Sequence, residues 1–168
     1  MDSSESEIAP EILDRIRAAE GWLGLGDYNS ASEELDCLPA HAAIHFEVLK
    51  IRCAIYRKAK RWNDLQTLAE SCCEIFPNVI AFWLDVARAL DAKGQTEEAI
   101  AQLLVVKDRF PMSDAIAYYF ACFLAKLDRI EEARAWLSCA FKYADNVRKL
   151  KLRALEQPEL AKVFQGDC

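Results

Sequence analysis

Residues Gly94 to Pro111 read GQTEEAIAQLLVVKDRFP. A glycine opens the stretch, acids occupy the first turn, apolar residues follow at helical spacing, and a proline closes it. Its value lies in what stands beside it. GDYNSA (Gly26 to Ala31), KRWNDL (Lys60 to Leu65), GQTEEA (Gly94 to Ala99) and DRIEEA (Asp128 to Ala133) each end 34 residues after the one before. A fixed period of this length is the signature of a repeat architecture. Pro77 and Pro111 keep the same interval, whereas Ala43 and Asp145 occupy the flanking places of that column.

Other columns agree without an insertion. Ala19, Cys53, Ala87 and Ala121 are small, and Trp22, Tyr56, Leu90 and Leu124 are large. Leu35, Ala69, Leu103 and Leu137 form a third column, and Leu38, Cys72, Val106 and Ala140 a fourth. Small residues are required where two helix backbones approach closely. Each unit contains two apolar segments of helical period. In the unit that shows this best, Trp83, Val86, Ala87 and Leu90 lie on one helix and Ala99, Leu103 and Val106 on the next, with Gly94 as the break. Pro111 ends one unit and can occupy the first turn of the following helix.

The spacing predicts helices over residues 10–24 and 28–38, 42–58 and 61–75, 79–92 and 95–109, and 112–126 and 129–143. A further helix is expected near 146–155, followed by a short apolar segment from Pro158 to Phe164. The units are expected at about 10–43, 44–77, 78–111 and 112–145. Residues 1–9 are expected to form a flexible lead-in, and residues 146–168 a capping helix and tail. The end units depart most from the columns, as caps with a neighbour on one side do. Leu150, Leu152, Leu155, Leu160 and Phe164 are expected to cover the open end of the fourth unit.

This pattern resembles the tetratricopeptide repeat family over roughly residues 12–145. The third unit carries Trp83, Val86, Ala87, Leu90, Gly94, Ala99, Leu103, Val106 and Pro111, and the second carries Leu49, Cys53, Tyr56, Trp62, Leu65, Ala69, Cys72 and Pro77. The fourth unit has Ala117 where an aromatic is common, and the first has Arg15 in a large apolar column. The resemblance implies an all-α fold: a right-handed α-α superhelix of four helix pairs with a C-terminal closing helix. It also implies a concave groove lined by the first helix of each pair, where extended peptides or helices of partner proteins bind.

Carried over by position, that groove would hold Ile16, Glu20 and Leu23, then Lys50, Ala54 and Arg57. It continues with Leu84, Arg88 and Asp91, then Tyr118, Cys122, Ala125 and, on the rim, Lys126. Lys50, Arg57, Arg88 and Lys126 make a basic stripe against the overall sign of the chain, which favours an acidic or carboxylate-bearing peptide. Tyr118 is the expected anchor. The family subtype that grips a chaperone's terminal carboxylate through a lysine and an asparagine is not expected, because Ile16 and Glu20 occupy the first two places. Asn29, Asn63, Asn78 and Asn146 all sit in turns or at helix starts.

Composition bounds the remaining possibilities. The chain has 168 residues, 53% of them hydrophobic and 29% charged, enough for a sizeable buried surface. A net charge of −6 argues against nucleic acid as a partner. No apolar run approaches the roughly 18 residues of a membrane span. MDSSESEIAP lacks the basic and apolar regions of a secretory signal. The seven cysteines form no framework and read as small hydrophobes of a reducing compartment, so a cytoplasmic location is expected.

Candidate chemistry is sparse. His41 and His45 have ligand-compatible spacing but no third histidine, and read as a surface pair at a helix start. Cys72 and Cys53 are expected inside, Cys73 on another face, Cys37 and Cys139 partly exposed, and Cys168 most open to oxidants. Glu97–Glu98 and Glu131–Glu132 recur at matching positions and read as helix N-terminal acids, not as an acid/base pair. Arg15 either spreads over the solvent side of the end unit or faces Glu34, and the first reading is favoured. No catalytic motif, metal site or cofactor site is recognised, and an enzyme is not expected. The expected function is a protein-interaction adaptor. The alternative is a homo-oligomeric structural protein that uses the C-terminal helix or the groove.

Overall fold

A computed structural model describes residues 9–164. The lead-in apart from Ala9, and Cys168, lie outside the described residues. Regular structure among the described residues is entirely helical. In chain order the helices are α1 (Pro10–Leu25), α2 (Tyr28–Asp36), the single turn α3 (Ala40–Ala43), α4 (Phe46–Lys58), α5 (Trp62–Ile75) and α6 (Ile80–Ala92). They continue as α7 (Thr96–Val106), α8 (Asp114–Lys126), α9 (Ile130–Tyr143) and α10 (Val147–Leu155). A 3-10 turn at Pro158–Leu160 and α11 (Ala161–Phe164) complete them. Four helix pairs therefore succeed one another, α1/α2, α4/α5, α6/α7 and α8/α9, with a closing helix after them. None of the described helices is long and apolar enough to cross a membrane.

The four pairs share one turn. At its centre stand Gly26, Lys60, Gly94 and Asp128, with φ of 81°, 56°, 83° and 60°. Each lies in the left-handed region that closes a helix by returning the chain on itself. The same two backbone bonds recur at every turn. Gly26 N–H donates to the Leu23 carbonyl and Asp27 N–H to that of Trp22 at 3.3 and 3.0 Å. The equivalent pairs run from Lys60 and Arg61 to Arg57 and Tyr56, from Gly94 and Gln95 to Asp91 and Leu90, and from Asp128 and Arg129 to Ala125 and Leu124. The orphan carbonyls at the end of each first helix are thus satisfied before the second helix begins.

Contacts divide the chain into two compact units, Met1–Leu68 and Ala69–Cys168. In the first, α1 packs on α2 and α4, and α2 packs on α4. Ile16, Ala19, Ala31, Leu35, Val48, Ile51 and Ile55 form its core. In the second, α6 pairs with α7, α7 packs on α8, and α8 pairs with α9. The columns Ala19/Cys53/Ala87/Ala121 and Ala31/Leu65/Ala99/Ala133 are buried throughout, at 0–1% exposure. α10 packs on α9, the 3-10 turn on α8, and α11 on α9, which buries Leu150, Ala154, Leu160 and Val163. Full burial of an aliphatic side chain is worth roughly 1.5–3 kcal/mol, so these residues hold the closing segment in place.

Several local features differ from the sequence reading. Residues 42–58 are not one helix: the backbone turns at Ile44, and His45 starts α4, its Nδ1 accepting from the Glu47 N–H at 3.3 Å. A β-type ψ at His45 makes it a cap residue, so the helix cannot run through it. α7 ends at Val106, because Arg109 N–H turns back to the Val106 carbonyl at 3.0 Å in a tightened last turn. Pro111 is not in the first turn of α8, which begins after Ser113, whose Oγ accepts from the Ile116 N–H at 3.2 Å. Arg15 faces Glu34 across the first pair at 2.8 Å instead of spreading over the solvent side. In α10, Leu152 and Leu155 point to solvent, since only the face carrying Leu150 and Ala154 meets the protein.

A side chain in the left-handed region costs roughly 1–2 kcal/mol, partly offset by the flexibility glycine adds to the unfolded chain. Lys60→Gly is therefore expected to stabilise the protein by about 0.5–1 kcal/mol and Gly94→Ala to destabilise it by about 1 kcal/mol. In thermal unfolding these correspond to Tm shifts of about 2–4 °C per kcal/mol, in opposite directions. A fall in Tm for Lys60→Gly contradicts the shared turn.

Candidate functional site

The repeat columns carried over as the groove fall on α1 and α4 in the first unit and on α6 and α8 in the second. In the first unit Ile16 belongs to the core, Glu20 is exposed, and Leu23 is half-buried. Lys50 is exposed, pairs with Glu47 one turn before it, and lies 5.7 Å from the centre of the Phe46 ring. Ala54 and Arg57 are half-buried.

In the second unit the first helices carry a connected polar network. Asp85 is 2% exposed and accepts from Arg88 Nη1 at 2.7 Å, one turn later on α6. Arg88 Nε donates to the hydroxyl of Tyr119 on α8 at 2.6 Å, and its guanidinium lies 4.7 Å from the centre of that ring. Arg153 on α10 donates to the same hydroxyl from Nη2 at 2.8 Å. Its guanidinium stacks 4.4 Å from the Tyr118 ring and 5.5 Å from the Tyr119 ring. Such cation–π contacts are worth about 0.5–1 kcal/mol at exposed sites and more when desolvated. One phenol oxygen thus joins three successive first helices. Asp91 has its own partners, with Lys126 Nζ at 2.5 Å and Thr96 Oγ1 at 2.9 Å.

Burial and charge set the protonation states. Burial opposes the charge on Arg88, but Tyr119 and Asp85 more than compensate, so the guanidinium is held above its ordinary range. Burial also pushes the Tyr118 phenol up and the Cys122 thiol to about 12. Tyr118 is 1% exposed, with its hydroxyl turned toward the Arg153 carbonyl at 3.5 Å. Tyr118 is thus less open to solvent than Arg153 or the half-buried Tyr119. Leu84, Cys122 and Ala125 are likewise buried, leaving Arg88, Asp91 and Lys126 as the carried-over residues of this unit with solvent access.

Asp85, Tyr119 and Arg153 were absent from the sequence-derived groove. They share a column of the same 34-residue period, one place after Leu84 and Tyr118. The signal was therefore present, but it requires the period to be continued into the closing helix. The expected basic stripe is largely compensated in place: Lys50 by Glu47, Arg88 by Asp85, and Lys126 by Asp91. Arg153 has no carboxylate partner among the described residues.

Elsewhere the candidate chemistry has structural uses. His45 is a helix cap, and no group of three or more His, Cys, Asp or Glu side chains is gathered for a metal among the described residues. Glu132 receives two bonds from Arg129, at 2.7 and 2.6 Å, and the first-turn ion pair holds its carboxyl below the usual range. Cys53 and Cys72 are buried, Cys37 is exposed, and Cys139 is half-buried. Cys73 is buried as well, and its thiol is pushed up to about 12 by burial.

Tyr119→Phe removes the oxygen shared by Arg88 and Arg153. It is expected to cost about 2 kcal/mol in urea unfolding, the range for hydrogen bonds to charged groups. A change within about 0.5 kcal/mol, the size of an ordinary surface substitution, contradicts the network. In native alkylation at mildly alkaline pH, Cys37 is expected to react well ahead of Cys73 and Cys122, as peptide mapping would show. Equal rates contradict the burial of the latter two.

Comparison with protein-family models gives no match, and comparison with curated proteins gives none. Solved structures are similar over most of the chain. A thermophilic TPR protein from Thermus thermophilus aligns with a TM-score of 0.67 and 17% identity, over 92% of this chain and 90% of that one. MamA (residues 41 to end) from Desulfovibrio magneticus RS-1 aligns with a TM-score of 0.66 and 15% identity, over 94% and 93%. A tetratricopeptide repeat protein from Parabacteroides merdae gives 0.70 and 12%, over 92% of this chain, which spans 57% of that one. Together with the 34-residue columns and the repeated turn, these alignments establish that the chain has the tetratricopeptide-repeat fold.

Proposed function

We propose that the chain is a non-enzymatic, cytoplasmic interaction module that binds an acidic segment of a partner protein on the inner columns of its first helices. The observation that carries this reading is Arg153. It is an exposed guanidinium beside Arg88, fixed by two tyrosine rings and a phenol oxygen, and without a carboxylate of its own among the described residues. A fixed planar cation suits bidentate capture of a carboxylate, because little side-chain entropy remains to be lost on binding. Lys126 and Arg88, each already paired, set the register around it. Lys50, Ala54 and Arg57 stand at the same repeat positions in the first unit. Neighbours with this fold are described as TPR proteins, and the interaction role is taken from the fold by analogy.

An array of acidic peptides, with each sequence repeated in charge-inverted form, tests this directly. The wild-type protein is expected to retain acidic members, less so as salt rises. Arg153→Glu is expected to lower that binding about tenfold or more with helicity unchanged, a loss typical of reversing a charge at a polar contact. Retention indifferent to peptide charge, or to the substitution, contradicts the proposal.

A further inference from the structure

In the second unit, α6 and α8 each begin three residues after a proline, Pro77 and Pro111. Ahead of α6, the Pro77 carbonyl accepts from Trp83 Nε1 at 2.9 Å and from Arg109 Nη1 at 3.1 Å. One period later Ala117 stands in the place of Trp83, and Tyr143 in the place of Arg109. Both donors are lost, and the Pro111 carbonyl accepts no hydrogen bond among the described residues.

Pro111 lines a cleft of about 380 Å³. Its other walls are the buried Ile116 and Ala117, the half-buried Phe110 and Trp136, and the exposed Met112 and Tyr143. Trp136 and Phe120 are larger than Gln102 and Val86, their counterparts one period earlier. They stack on each other, 4.4 Å between ring centres, and leave the cleft open. Met112 is 70% exposed with φ of 60°, a left-handed conformation that is strained for a side chain of this kind. Strain of this sort, holding an apolar side chain out beside an apolar cleft, is characteristic of binding sites.

The occupant is named by what serves the same acceptor in the α6/α7 pair, a flat apolar ring that carries one N–H. Indole has one donor and no acceptor left to satisfy. A guanidinium is the other donor found there, but Arg109 is exposed and shares its cleft with Glu70 and Glu74. Asp108, which lines the cleft beside Ala117, is already paired with Lys107 at 3.2 Å. Burying a cation among Phe110, Ile116 and Trp136 without a free carboxylate is costly, and a neutral donor avoids that cost. An aliphatic side chain fills the space but leaves the carbonyl unmet.

We propose that this cleft receives a tryptophan side chain from a segment of a partner protein, its indole N–H donating to the Pro111 carbonyl and its ring packing on Met112 and Trp136. Asp85, Arg88, Tyr119 and Arg153 do not line the cleft, so the site is independent of the acidic-segment reading.

An uncharged peptide tests this on the full chain. Ser-Gly-Trp-Gly-Ser with blocked ends is titrated while NMR follows the Met112 methyl and the Trp136 indole, and both are expected to shift saturably. Leucine in place of the peptide's tryptophan is expected to weaken binding about tenfold or more. Benzothienylalanine, which keeps the ring shape and has sulfur in place of N–H, is expected to weaken it about three- to tenfold. Ala117→Trp supplies the ring from within the chain and is expected to abolish binding. The proposal is overturned by the absence of a saturable shift, or by equal binding of the leucine or benzothienyl peptide. Undiminished binding to an Ala117→Trp protein of unchanged circular dichroism also overturns it, and the benzothienyl peptide decides the matter should that variant fail to fold. Trp22 is 39% exposed. Self-association that the peptide disrupts and Trp22→Ala abolishes would give the cleft to a second copy and overturn the partner assignment.

Discussion

A helix pair of this size cannot bury its apolar face alone, and the left-handed turn that closes each pair is the constraint on which the rest depends. With φ positive at residues 26, 60, 94 and 128, the second helix of every pair leaves the first in the same way. The two backbone bonds that accompany it recur four times without variation in their partners' spacing. A repeated turn gives a repeated crossing, which favours small residues where the backbones meet, with Leu65 on α5 the one large member of these columns. Ala19 with Ala31 and Ala87 with Ala99 meet that need, and so do Ala121 and Ala133, all at 0% exposure. Stability then resides in nearest-neighbour packing, as in other stacked-repeat proteins.

The same geometry arranges the polar surface. In the second unit, residues one period apart on successive first helices become neighbours, so Tyr119 meets Arg153, and Arg88 links it to Asp85, although they are far apart in the chain. Arg88 completes the link between a 2%-exposed carboxylate and a phenol shared with α10. Arg88 meets the buried Asp85 carboxylate at 2.7 Å, so that charge is paired. The closing helix thus has two roles: Leu150 and Ala154 seal the last pair, and Arg153 lays its guanidinium on Tyr118 and Tyr119.

What was legible in the sequence was whatever depends on volume and period. The small columns, the helix pairs, the turn column and the closing helix follow from residue size at a fixed interval, and each interval is local. Lys60 and Asp128 fall in the turn column by position, but their left-handed backbone is hidden because neither is glycine. His45 as a cap was missed because the apolar pattern runs through it, while a single ring nitrogen caps the start of α4 there. Tyr119 was passed over for Tyr118, since helical spacing ranks faces and does not show which of two adjacent tyrosines the closing helix covers. Arg15 with Glu34 and Arg88 with Tyr119 rest on the reach of long side chains between helices, which columns do not encode.

The central claim is that α10 is docked in cis as the next first helix, with its arginine laid on the two tyrosines. Nuclear Overhauser contacts from the Arg153 side chain test it most directly. The account predicts contacts from its δ protons to the rings of both Tyr118 and Tyr119, with those protons shifted upfield by ring currents at 4.4 and 5.5 Å. Random-coil shifts for Arg153 with no contact to either ring would contradict it.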